Sequence, residues 1–193
     1  ITSTLFFFHH RGHGGHGVLL IKQKKLYVLC ALCGEFPYLC SVMEKFELHI
    51  LGCGSALPTT RHFATSQVVN VRDKLYMIDC GEGSQLQFRK SRLKFSRLNH
   101  IFISHLHGDH CFGLLGLIST LNLLGRTAEL HIHSPKGLEA LFVPMLSFFC
   151  RQMTYQVLFH EFETKEPGMI YEDRSLTVTT IPLRHRMPCC GFL

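Results

Sequence analysis

Tryptophan is absent from these 193 residues, and no apolar run reaches the length of a membrane span. The nearest candidate, 26–42, is interrupted by Gly34, Glu35 and Pro37, whereas a spanning helix needs about 20 consecutive apolar residues. No membrane partner is therefore expected. Nor does the start read as a secretory signal, because its apolar stretch is split by residues 9–25 and no small-residue cleavage site follows. Charge is scarce at 18%, yet a hydrophobic content of 46% keeps the chain clear of the disordered range. An even, regularly spaced cysteine set is also missing. Nine cysteines at irregular intervals argue against a disulfide framework and point to reduced thiols in a cytoplasmic protein. The net charge of +6 permits a polyanionic partner without demanding one.

The chain divides by texture. Residues 1–42 contain the His/Gly-rich run from His9 to Gly17, and also Cys30, Cys33 and Cys40. Such a composition can bind metal loosely, but no partner stands at ligand spacing. Residue 1 is Ile and the first methionine is Met43, so 1–42 is expected to be an unmatched leader and 43–193 a domain. Within that domain the apolar patterning predicts strands at 46–51, 67–71 and 75–78, the last two joined by a polar turn at 72–74. A helix is expected from 84 to about 91, a strand over 98–104 and a buried, leucine-rich helix over 111–124. A strand over 129–133 follows, then a helix opened by Pro135-Lys136-Gly137 with proline near its first turn. Strands at 155–162 and 175–183 come next, and another begins at 191. Strands both paired and alternating with helices predict an α/β (α+β layered) fold.

What the sequence has in excess is histidine at one place. Ser104-His105-Leu106-His107-Gly108-Asp109-His110 puts four candidate metal ligands directly after the apolar run 101–103. Amphipathic patterning does not generate an imidazole or carboxylate at that density, whereas a loop curling around metal ions does. Imidazole favours zinc and other first-row metals, and carboxylate oxygen completes such sites. His105 and His107 can turn to one ion, Asp109 and His110 to a second. Two ions about 3.5–4 Å apart clamp the attacking and leaving oxygens of a displacement, and Asp109 can move a proton between them. His185, after the 175–183 strand, is the best further ligand candidate. Asp79 either orients a ligating histidine or caps the turn after its strand. His131-Ile132-His133 has the same spacing as His105 and His107, and is expected to be a strand with two outward imidazoles. Cys111, Cys189 and Cys190 are expected to be packing residues. Arg89, Lys90, Arg92, Lys94 and Arg97 form a basic segment, read either as phosphate contacts or as a solvated helix end.

The His-x-His-x-Asp-His run resembles the signature of the metallo-β-lactamase superfamily. Gly52-Cys53-Gly54-Ser55-Ala56-Leu57-Pro58, Asp79-Cys80-Gly81-Glu82-Gly83-Ser84-Gln85-Leu86-Gln87 and Ser134-Pro135-Lys136-Gly137 are similar to segments of the ribonuclease Z family within it. The resemblance covers 43–193. It implies a metallo-β-lactamase-like αββα sandwich, truncated at the C-terminus, with two Zn2+ per site in the complete enzyme. His105, His107 and His185 would hold one zinc, Asp109 and His110 the other, with Asp109 also the general acid/base. It implies hydrolysis of precursor tRNA to remove the 3′ trailer, leaving a 3′-hydroxyl, by a cytoplasmic homodimer. A bridging aspartate, a last histidine ligand and a substrate-gripping arm would lie beyond residue 193. The alternatives are a superfamily hydrolase acting on sulfate esters or small phosphodiesters, and an inactive fragment.

Overall fold

A computed structural model describes residues 45–57 and 59–193, together with the backbone of two earlier strands. Those strands, β1 (Lys25–Leu29) and β2 (Leu39–Met43), pair antiparallel as a separate ribbon. The His/Gly-rich run, Cys30, Cys33 and the side chain of Cys40 lie outside the described residues, and the expected boundary between 42 and 43 falls within β2.

Six strands form the main sheet: β3 (Phe46–Gly52), β4 (Ser66–Val71), β5 (Lys74–Cys80), β6 (Leu98–Phe102), β7 (Leu130–Pro135) and β8 (Val157–Phe162), side by side in chain order. The first three run antiparallel, and a two-residue turn suffices to reverse the chain from β4 to β5. Arg72 and Asp73 supply that turn with φ of 50° and 66°, the left-handed pair that matches the twist of a hairpin. From β5 onward the strands are parallel, which demands crossovers. The helices α1 (Ser84–Lys90), α2 (Gly108–Cys111), α3 (Gly113–Leu123) and α4 (Leu138–Phe149) lie in those crossovers.

The crossover helices cover one face of the sheet. Phe88 of α1, Leu114, Leu117 and Leu121 of α3, and Leu138 and Phe142 of α4 pack with Met77, Ile101 and Ile132 in one buried cluster. Each fully buried aliphatic side chain there contributes roughly 1.5–3 kcal/mol. Against the opposite face lies a small antiparallel sheet of β9 (Met169–Glu172), β10 (Thr177–Pro182) and β11 (Cys190–Phe192). Val178, Cys190 and Phe192 meet Val69, Ile78 and Phe102 in a second cluster. The described residues thus form helix, sheet and sheet layers. None of their helices is long and apolar enough to cross a membrane.

Three sequence expectations need correction. The helix expected over 111–124 begins earlier, as α2 at Gly108, and breaks at Phe112 before α3. Pro135 ends β7 instead of opening a helix; Gly137, at φ 105°, makes the turn into α4. Glu161 of β8 holds that turn by accepting from the Gly137 and Glu139 backbone N–H groups at 2.8 and 3.2 Å, a negative charge at a helix start. The third correction is β9, which was not expected; its four residues are too short a run to show alternation.

The start of α3 is fixed by backbone contact. A Cβ on Gly113 would lie 2.1 Å from the Gly81 carbonyl oxygen, so the glycine turn after β5 and the first turn of α3 touch with nothing between them. Helix propensity alone favours alanine over glycine by about 1 kcal/mol. We expect Gly113→Ala to destabilise the protein instead, by about 1–3 kcal/mol, read from the urea midpoint. A more stable variant would refute the close approach.

Candidate metal centre

The site forms at the C-terminal ends of the parallel strands, where loops from β5, β6 and β10 converge. The first step is a bulge. Ser66 pairs with Cys80 and Gln67 with Ile78, leaving Asp79 unpaired between them. Asp79 has φ 57°, a left-handed conformation that aspartate tolerates better than most residues. A bulge re-aims the side chain it carries, and here it sends a carboxylate, only 4% exposed, across to the loop after β6.

There Asp79 accepts three hydrogen bonds. Oδ1 takes the Ser104 backbone N–H at 2.8 Å, and Oδ2 takes the Ser104 hydroxyl at 2.9 Å and the His110 Nδ1–H at 2.7 Å. The His110 bond fixes that ring's tautomer and aims Nε2 away from Asp79. Burial opposes a charge on His110, but the Asp79 bond and charge, with Asp109 nearby, outweigh it and hold the ring's pKa above the usual histidine value. Ser104 extends the network. Its hydroxyl lies 3.1 Å from His105 Nδ1 and 3.3 Å from His110 Nδ1, and its carbonyl accepts the Cys190 N–H of β11 at 3.1 Å. One serine therefore joins β5, the histidine loop and the small sheet.

His105, His107 and His185 come together: ligand nitrogens on all three lie within 4.8 Å of one another. His105 Nε2 and His185 Nε2 each stand 3.1 Å from His107 Nδ1. Nitrogens at that spacing suit a first-row ion with metal–nitrogen bonds of about 2.0–2.1 Å. His110 lies beside this trio, its ring centroid 3.9 Å from that of His105, and Asp109 Oδ2 is 3.5 Å from His110 Nε2. All five residues singled out in the sequence are thus gathered at one place. A further feature suits a metal: three imidazoles meet edge to face with centroids 4.8–4.9 Å apart. Such crowding of nitrogen lone pairs is what a shared cation relieves.

Of the two readings of Asp79, the geometry favours the one in which it orients a histidine. Ser104 was not singled out beyond opening the histidine run; its signal was a hydroxyl at the first position after a buried strand, which many non-functional loops share. Cys111 and Cys189 are buried, and burial pushes their thiols up to about 11, consistent with packing. All six cysteines among the described residues are free. Arg89, Lys90, Arg92 and Lys94 are exposed, while Arg97 pairs with Asp73 at 2.8 Å. His131 and His133 depart from the expected outward imidazoles. They face the small sheet, and His133 is only 4% exposed because Phe102 stacks on it and Tyr171 caps it.

The family model described as Anti-Pycsar protein Apyc1 matches residues 46–187. Ribonuclease Z of Bacteroides thetaiotaomicron is 83% identical over 151 residues, which are 78% of this chain and 48% of that protein. Ribonuclease Z of Porphyromonas gingivalis is 60% identical over 151 residues, 78% of this chain and 50% of that protein. The chain spans about half the length of the curated relatives it matches. Among solved structures, human tRNase Z, short form, superposes with a TM-score of 0.69 at 30% identity, over 75% of this chain and 63% of that one.

An Asp79→Asn variant keeps the shape and the left-handed preference but removes the charge that holds His110. We expect metal affinity to fall about 10–100-fold, measured by competition with a chromophoric chelator, with the far-ultraviolet circular dichroism unchanged. Unaltered affinity would show that Asp79 serves the bulge alone.

Proposed function

The chain belongs to the family described as Anti-Pycsar protein Apyc1 and carries the metallo-β-lactamase fold, and from that membership and its likeness to ribonuclease Z we propose that it is the metal-holding portion of a zinc-dependent endoribonuclease. The whole protein would remove the 3′ trailer of precursor tRNA by phosphodiester hydrolysis and leave a 3′-hydroxyl. The observation that carries this reading is the convergence of His105, His107 and His185 beside the Asp109–His110 pair.

His105, His107 and His185 would hold one Zn2+, and Asp109 and His110 a second. When bound, the ions supply Lewis acidity and an activated water nucleophile. The chain's own groups do the rest. Asp79 fixes the ring of His110, Ser104 steadies His105, and the Asp109 carboxylate takes up and returns the proton that moves between nucleophile and leaving oxygen. Exposed Arg89, Lys90, Arg92 and Lys94, which follow or end α1, would meet phosphates of the tRNA. We propose a cytoplasmic location and a homodimeric complete enzyme, with the domain running from Met43 onward and 1–42 outside it.

The tests are metal content and cleavage. Zinc per chain, by elemental analysis, is expected to fall by at least half in His107→Ala. Cleavage of a trailer-bearing precursor tRNA by the complete protein is expected to fall at least about 100-fold in Asp109→Ala. Products ending in a 3′-phosphate, or full zinc in His107→Ala, would overturn the assignment. A tenfold or greater preference in kcat/KM for a small phosphodiester would move it to the smaller substrate.

A further inference from the structure

The two histidines of β7 are part of a larger patch that the metal centre does not use. His100 of β6, His131 and His133 of β7 and His160 of β8 share the sheet face turned toward β9–β11. Register sets His100 opposite His131 and His133 opposite His160, and same-face positions recur every second residue. The four imidazoles therefore form a two-by-two array. Its rings stack with centroids 4.8 Å apart between His100 and His131, and 4.8 Å between His133 and His160. Along the diagonals the nitrogens meet: His100 Nδ1 is 3.3 Å from His133 Nε2, and His131 Nδ1 is 2.9 Å from His160 Nε2.

A nitrogen pair at that distance holds only when one ring donates and the other accepts, which requires at least one unprotonated acceptor nitrogen in each pair. A second proton on either pair turns its hydrogen bond into two opposed donors. Its charge would also sit against stacked neighbours. Lys74 and Tyr76 face the array from β5, Arg126 and Glu129 from the segment before β7, and Tyr171 and Asp173 from the small sheet. Of these only Glu129 and Asp173 favour a cation, and Asp173 is committed to Lys74 at 2.6 Å and to the Tyr76 hydroxyl at 3.0 Å. Burial, and then the neighbouring rings, push His100 down to about 4 and His133 to about 3. His131 is also lowered, by burial and by His160.

The small sheet rests on this array. The Tyr171 ring of β9 lies 4.3 Å from that of His100 and 5.5 Å from that of His133. β9 pairs with β10, and the segment leaving β10 carries His185, whose Nε2 reaches His107 at 3.1 Å. We propose that the four-histidine array is an acid-sensitive latch: protonation of the array loosens β9–β11 from the main sheet and withdraws His185 from the metal centre. The sign follows from linkage. His100 and His133 are held neutral in the closed state but bind protons at about 6.5 once exposed. The latch is therefore fully closed above about 6.5 and weakens as pH falls toward the lowered values. At pH 5, each histidine that protonates only on opening raises the open population by roughly 30-fold.

Amide hydrogen exchange on the metal-free, full 193-residue chain tests this at pH 7.5 and 5.0, after correction for intrinsic rates. Opening of β9–β11 at pH 5 is expected to exceed that at pH 7.5 by at least about 100-fold, with β3–β5 unchanged. The His100→Phe/His133→Phe variant keeps His105, His107 and His185, so any effect of those three remains in it. Its gain at pH 5 is expected to be at least tenfold smaller. Equal gains in parent and variant, or no gain in the parent, would overturn the latch. Should the variant fail to fold, nitrogen-15 histidine spectra of the parent decide: His100 and His133 neutral at pH 5.5 support the latch, and their titration at or above 6.5 sinks it.

Discussion

The Asp79 carboxylate accepts the Ser104 N–H, the Ser104 hydroxyl and the His110 ring, and so ties the end of β5 to the loop after β6. A carboxylate taken out of water must have its lone pairs satisfied, or it costs several kcal/mol. Three donors meet that demand, which makes the loop conformation a condition of burying Asp79 at all. Through the Ser104 carbonyl the constraint reaches Cys190 of β11, and through β11 the small sheet whose connecting segment delivers His185.

The two faces of the main sheet are built on different chemistry. One is sealed by α1, α3 and α4 over aliphatic side chains, with Met77, Ile101 and Ile132 fully buried. This face needs only apolar area removed from water. The other mixes Phe102, Tyr76 and Val69 with imidazoles that must satisfy one another. Its adhesion therefore depends on protonation, while the helical face is indifferent to pH. A fold divided in this way is held by apolar burial behind the candidate metal centre and by the imidazole array in front of it, on the side that supplies the third histidine.

Much of the fold was legible because its signals were local. The apolar patterning of 46–51 and 67–71 and the polar turn at 72–74 report on the strands and on the hairpin. The density of ligands in 105–110 reports on a loop with no other use for them. Distance in sequence hid the rest. β9 is too short to show a period, and Pro135 ends a strand because the following glycine, and not the proline, carries the turn. His131 and His133 looked outward because alternation tells which residues share a face but not whether another sheet covers it.

The sequence by itself determined the layered α/β class, the hairpin, the helix order and five candidate metal ligands, because periodicity, turn chemistry and ligand density act over a few neighbouring positions. Tertiary structure alone decided that His185 joins His107 across 78 positions of chain and that Asp79 braces His110. It also decided that His100, His131, His133 and His160 meet as one array. The array depends on strand register, where a shift of one residue would turn every side chain to the opposite face, and the Asp79 brace depends on a bulge.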